Sequence, residues 1–315
     1  MKKAPAAPDT PSLPAPLYQG AVNTWECDQN GHLNVRFQCE RATTGLAHLA
    51  RALEMRSAFR ADAGATLTPL DMHIRFLREA HPVETLVMHG GVVAFGERDA
   101  CVCLDMRHGD AAPGTTFTLR VAHTEPDSLD PFPWSTRTRD AAKKLACALP
   151  AHAKPRAIDF EKPPTAATFA RAQELGATRI GAHIVFPDQC DAFGRLRAEH
   201  IFGRASDSVS SLFPEWRKDP PPEIKSLSGA VVEARIVFRR WPRAGDLIEV
   251  WSGIVEAQGK ITRIVHWLCD PYSGAVWASM EVVAVAFDLT TRKAVDMPPA
   301  LLELRRKRIV TGLGI

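Results

Sequence analysis

The chain has 315 residues, 45% of them hydrophobic and 24% charged, with a formal net charge of +3. That length admits two domains with cores of their own, and the composition is that of a soluble globular protein. The charge is too small to mark a nucleic-acid binder, and no apolar run approaches the ~18 residues of a membrane span.

From the N-terminus, residues 1–16 are rich in Ala and Pro and carry no signal-peptide hydrophobic stretch, so they read as a disordered lead-in. A short strand is expected at Ala21 to Trp25, running into the turn Asp28-Gln29-Asn30-Gly31. A helix follows, because Val35, Cys39, Ala42, Leu46, Leu49 and Leu53 recur at spacings of three and four and form one apolar stripe. Strands are expected at His73 to Leu77, Thr85 to Phe95, Ala100 to Arg107 and Thr115 to His123. Thr124 to Thr178 holds seven prolines and two helical patches, Arg137 to Leu149 and Thr165 to Leu175, and reads as an inter-unit crossover.

The pattern then recurs. A strand at Ile180 to Phe186 leads into Asp191-Ala192-Phe193-Gly194, and Phe202, Ala205, Val209 and Leu212 mark a second helix. Strands follow at Ala230 to Arg239, Leu247 to Glu256, Ile261 to Cys269 and Ala275 to Phe287, before a basic terminal helix at Pro299 to Arg308. Cys27, Asp28, Gly31 and Leu33 repeat 163 residues later as Cys190, Asp191, Gly194 and Leu196. At an offset of 162, Ile74, Phe76 and Arg78 repeat as Ile236, Phe238 and Arg240. Two matches in the same order at nearly one offset indicate a duplicated unit. The domains are therefore set at 17–124 and 179–298, flanked by the lead-in 1–16, the linker 125–178 and the tail 299–315.

The segment Trp25-Glu26-Cys27-Asp28-Gln29-Asn30-Gly31-His32-Leu33-Asn34 resembles the hotdog-fold acyl-CoA thioesterases. It is similar to the hydroxybenzoyl-CoA thioesterase group, in particular to relatives linked to carnitine and betaine metabolism. Their pattern is Asp, two residues, Gly-His, an apolar residue and Asn before a long helix, and His73 to Glu79 resembles the corresponding family strand. The resemblance implies an α+β tandem hotdog fold, each half a long helix against an antiparallel sheet, the two forming a pseudo-dimer. It also implies sites between units: one around Asp28, and an altered one around Asp191, where Arg195 and Arg197 replace His32 and Asn34. The family's tyrosines after the Asn are replaced here by Phe37 and Gln38.

Thioester hydrolysis needs a nucleophile or an activated water and donors for the carbonyl oxyanion, each donor supplying ~2.7–4 kcal/mol. Asp28 supplies the carboxylate, amides near Asn34 and Val35 at the helix N-terminus supply donors, and His32 and Asn34 orient the thioester or the water. Gly31 lets the backbone approach the acyl group. Each has a structural alternative: Asp28, Asn34 and Asp191 as helix caps, and His32 as turn packing. Arg75, Arg78, Arg239 and Arg240 are candidates for the CoA phosphates, or simply a solvated strand face.

No metal is implied: there is no HExxH or CxxC, and the seven cysteines are odd in number and scattered, which fits a reducing cytoplasm. The absence of G-x-S-x-G and of the Gly-rich phosphate motifs argues against serine hydrolases and nucleotide folds. The sequence thus points to a thioester hydrolase with no cofactor beyond the CoA moiety of its substrate, no nucleic-acid or membrane partner, and a possible homo-oligomer. A hydratase of the same fold and a non-catalytic acyl-CoA-binding protein remain alternatives.

Overall fold

The computed structural model describes residues 13–108, 112–216 and 222–315. By compactness the chain divides into two units. The first takes in the described residues of Met1–Asn34, Arg41–Thr68 and Phe76–Lys154; the second takes in those of Val35–Glu40, Pro69–Arg75 and Pro155–Ile315.

In chain order the first repeat supplies β1 (Ala15–Ala21), α1 (Val35–Ala52), β2 (Thr66–Phe76), β3 (Thr85–Phe95), β4 (Asp99–His108) and β5 (Pro113–Thr124). Then come α2 (Thr136–Lys144) and α3 (Phe169–Glu174). The second repeat supplies β6 (Thr178–Ile184), α4 (Ala198–Ser208), β7 (Leu227–Phe238), β8 (Leu247–Gln258), β9 (Ile261–Cys269) and β10 (Val276–Asp288). The chain closes with β11 (Lys293–Ala294) and α5 (Pro299–Arg306).

The two halves repeat their topology as well as their motifs. The first has the strand order β1-β3-β4-β5-β2, and the second the matching order β6-β8-β9-β10-β7, with β11 beside β10. Hairpin-linked neighbours β3–β4 and β4–β5, and β8–β9 and β9–β10, pair antiparallel. In each repeat a helix follows the first strand, and most of the predicted stripe is buried: Cys39, Ala42, Leu46 and Leu49 of α1 and Leu53 just beyond it are at most 2% exposed, while Val35 is half-buried. Each buried Leu of that stripe contributes about 1.5–3 kcal/mol. Gly45 brings α1 against the sheet, since a Cβ there would collide with Met88 Sδ.

Several boundaries differ from those expected. The lead-in set at 1–16 gives way by Leu13, which is buried with Cys103 and Ala153, and β1 opens at Ala15; residues 1–12 lie outside the described residues. Pro14 and Pro16 obscure a strand that begins the sheet order, an edge position where proline is tolerated. The strand expected at Ala21 to Trp25 is instead the end of β1 followed by a 3-10 turn at Thr24–Glu26, with Trp25 77% exposed. Likewise the strand expected at Ile180 to Phe186 ends at Ile184, and Pro187–Gln189 forms the matching 3-10 turn. β2 starts seven residues before its expected position at His73, because Pro69 and the buried polar residues Thr68 and Asp71 break the alternation that marks a strand.

Within the second unit, Asp71 to Arg75 of β2 pair antiparallel with β7, placing His73 opposite its repeat counterpart Arg235. Around this pair lie two buried diagonal bonds: His73 Nε2 meets Glu233 Oε1 at 2.8 Å, and Arg235 reaches Asp71 at 2.6–3.1 Å. The connector is fastened to two of these four residues, Glu233 and Arg235. The amides of Arg156, Ala157 and Ile158 donate to the Glu233 carboxylate, and Arg235 donates to the carbonyls of Asp159 and Lys162. Carboxylates and a guanidinium this deeply buried require such pairing.

Candidate active site

In the first unit Asp28 sits in a tight turn. Its carbonyl accepts the Gly31 amide at 3.0 Å, and its own amide donates to the His32 carbonyl at 3.0 Å. Gly31 holds φ at +77°, a left-handed conformation that a side chain would strain. The side chain is only partly committed. Oδ1 accepts the Asn30 amide at 2.8 Å, while Oδ2 faces His32 Nε2 at 3.4 Å. On its other side His32 Nδ1 is buried without a hydrogen-bond partner and lies 3.7 Å from Glu79 Oε1. The result is a lightly held carboxylate beside an imidazole, both side chains 16–17% exposed. α1 begins at Val35, directly after this turn.

The second unit repeats this backbone residue for residue. Gly194 donates to the Asp191 carbonyl, Asp191 donates to the Arg195 carbonyl, and Gly194 has φ of +74°. The side chains differ. Asp191 Oδ1 accepts the amides of both Phe193 and Arg195 at 2.9 Å, and Oδ2 is gripped by Arg195 Nε at 3.1 Å and by a second guanidinium nitrogen at 3.0 Å. Arg195 is 5% exposed and lies over the Phe193 ring. Asp191, a catalytic candidate by sequence, thus has both carboxylate oxygens occupied by protein donors.

Asn34, another candidate, donates its backbone N–H to the Glu26 carbonyl at 2.9 Å, and Arg197 donates in the same way to Gln189 at 3.1 Å. The Asn34 amide thus closes the turn and is withdrawn from the oxyanion role. The Val35 amide is the first of the helix and has no helical acceptor.

Below each turn lies a pair of residues that pattern reading missed. Arg41 bonds both oxygens of Glu26, at 2.6 and 2.7 Å, and reaches the Ala21 carbonyl at 3.5 Å. Arg204 bonds Gln189 Oε1 at 2.5 Å and reaches the Ile184 carbonyl at 3.4 Å. Glu26 to Gln189 and Arg41 to Arg204 both fall at the 163-residue offset, so carrying the alignment past the turn would have found them. Burial alone would raise the pKa of Glu26, but the Arg41 and Asn23 bonds hold it below the usual carboxylate value.

The model of the thioesterase-like superfamily matches residues 22–140 and, separately, residues 185–304. The chain belongs to that superfamily. It is a thioester hydrolase built on two repeats of the hotdog-like fold. Among solved structures this thioesterase is similar to an acyl-ACP thioesterase from Bacteroides thetaiotaomicron, with a TM-score of 0.62 and 12% identity, over 85% of this chain and 96% of that one. It is also similar to the 12:0-ACP thioesterase from Umbellularia californica, with a TM-score of 0.64 and 10% identity, over 85% of this chain and 93% of that one. At such identities the likeness is one of fold. No curated protein matches the thioesterase in sequence.

The second unit carries a polar cluster at the start of α4 that was not anticipated. Glu199 and His200 are 1% and 3% exposed. Arg197 pairs with Glu199 at 2.9 Å and donates to His200 Nε2 at 3.2 Å. Burial, reinforced by Arg36, Arg197 and Arg204, pushes the His200 pKa down to about 3, so its ring is neutral. Gly203 admits the Arg36 stem against α4.

The four arginines proposed for phosphates are not equivalent. Arg239 is engaged by Ser279 Oγ at 3.0–3.2 Å and by the Thr165 carbonyl at 2.7 Å, which removes it from the phosphate role. Arg75 is half-buried, while Arg78 and Arg240 are exposed. No group of His, Cys, Asp or Glu among the described residues has metal-binding geometry, and no described helix is long and apolar enough to cross a membrane.

Proposed function

We propose that the thioesterase hydrolyses an acyl-CoA at the Asp28 turn. The observation that carries this reading is the contrast between two aspartates on the same backbone. Asp191 is saturated by two amides and a guanidinium, whereas Asp28 has one amide on Oδ1 and a loosely placed imidazole beside Oδ2. A carboxylate whose lone pairs are already occupied is a poor nucleophile or base; one oriented by a single donor keeps a lone pair for the reaction.

In this scheme Oδ2 of Asp28 attacks the thioester carbonyl or takes a proton from the attacking water. The Asn30 amide fixes the rotation of the carboxylate. The Val35 amide, with the positive end of the α1 dipole behind it, meets the oxyanion. His32, held between Asp28 and Glu79, orients the water or the leaving thiolate. The CoA carrier is supported by the resemblance of residues 25–34 to acyl-CoA thioesterases and by the exposed, repeat-related Arg78 and Arg240.

Because both similar folds cited above carry names that specify acyl-ACP, the carrier is the variable to test. One acyl chain presented on CoA and on holo-acyl-carrier protein, with release of free thiol followed for each, separates the two. The CoA ester is predicted to turn over at least tenfold faster in kcat/KM. Cleavage of the carrier-protein ester alone would overturn the CoA assignment.

A further inference from the structure

A cavity of about 490 Å3 in the first unit lies at the end of α1 opposite to Asp28. α1 has 18 residues, so its two ends are about 27 Å apart. The cavity is of ligand size and is separate from the turn that holds Asp28.

Its walls combine three features. Met55, Ala58, Phe132 and Pro133 make an apolar side. The N-terminus of α2 also lines it, where Ser135 caps by accepting the Thr138 amide at 3.1 Å and the first helical amides have no helical acceptor. The charge is unevenly balanced. Arg56 pairs with Glu54 at 3.3 Å and Arg60 with Asp62 at 2.9 Å, but Arg137 forms no ion pair among the described residues and donates only to the Glu54 carbonyl at 3.0 Å.

The third feature is His123, which lines the cavity although only 5% of it is exposed. Its ring stacks on Trp134 with centroids 4.5 Å apart, and Nδ1–H donates to the Phe132 carbonyl at 2.8 Å. Nε2 has no hydrogen-bond partner among the described residues. Burial lowers the His123 pKa, so the ring is neutral and Nε2 presents a lone pair. An acceptor without a protein partner on a residue of the cavity wall can take a donor from whatever fills the cavity.

We propose that this cavity is a second ligand site, specific for a small organic anion that also carries a hydroxyl group. The anionic group sits at the α2 N-terminus beside Arg137, the hydroxyl donates to His123 Nε2, and the carbon skeleton lies along Met55 and Phe132. An inorganic ion would leave the apolar wall and most of the volume unused.

Calorimetric titration of the full chain with 3-hydroxyhexanoate and with hexanoate tests the assignment, because the two acids differ only in the donor. The hydroxy acid is predicted to bind at least tenfold more tightly. Asp28→Asn should leave that binding intact, which separates it from product binding at the catalytic turn. Arg137→Gln, at an exposed position, should weaken it at least tenfold while thiol release stays as in the wild type. His123→Asn keeps the donation to Phe132 and removes Nε2, so the two acids should then bind within about twofold of each other. Equal binding of the acids to the wild type, or an unchanged dissociation constant in Arg137→Gln, overturns the proposal. If His123→Asn fails to fold, the Arg137→Gln comparison still decides it.

Discussion

Two aspartates 163 positions apart occupy the same turn, with the same glycine at positive φ and the same backbone bonds. What distinguishes them is the residue four positions later: His32 leaves Asp28 lightly held, and Arg195 locks Asp191. Opposite consequences follow from the isosteric change at each. Asp28→Asn should cost at least ~100-fold in kcat, the lower end of a general base's contribution, with little change in stability. Asp191→Asn should leave kcat within a few-fold of wild type. It should cost on the order of 1–3 kcal/mol in urea unfolding, because Arg195 and two amides lose an ionised acceptor. The Glu26–Arg41 pair belongs to the same scale. Its side chains are 10% and 7% exposed, so Arg41→Met strands a buried carboxylate. The expected loss is about 3–5 kcal/mol, measurable by the same unfolding experiment.

At the scale of elements, α1 and the hairpins β3–β4 and β8–β9 were legible because their apolar periods are clean; β3 and β9 fall at the residues the pattern names. β1 and the first half of β2 were not. Pro14, Pro16 and Pro69 read as turn signals, and Asp71 and His73 of β2 are buried through partners over 150 positions away, which no local window reveals. The anchoring of the connector was not legible for the same reason. Phe160 packs on His73 with ring centroids 5.7 Å apart, and three successive amides point at Glu233. Glu233→Ala should therefore release this stretch, raising hydrogen exchange at Arg156, Ala157 and Ile158 at least tenfold while β9 amides stay protected.

Over the whole molecule, buried titratable groups set the acid limit of stability in two windows. His266 is fully buried against Ser252 Oγ at 2.6 Å, and burial pushes its pKa down from 6.5 to about 4. The unfolded chain then binds the extra proton, so stability present above pH 6.5 is lost as pH falls toward 4. The slope is about 1.4 kcal/mol per pH unit for one proton. Glu233 acts lower. Burial would raise its pKa, but His73 and the amides of Arg156 and Ala157 bring it from 4.5 to about 2, so its contribution is lost only as pH falls through that range. Urea unfolding at a series of pH values should show both declines, and His266→Gln should lower the slope of the upper one by about one proton's worth, with His200, held neutral by burial, carrying the remainder.

The duplication and the Asp28 turn were readable because they are local in sequence. The pairing of Asp191 with Arg195, the use of the Asn34 amide and the Glu199–His200 cluster depend on partners that only the folded chain supplies. The most direct test of the account is thiol release from acyl-CoA by the wild type beside Asp28→Asn and Asp191→Asn. The account predicts hydrolysis that collapses with Asp28→Asn and survives Asp191→Asn. Loss of activity only with Asp191→Asn would contradict it.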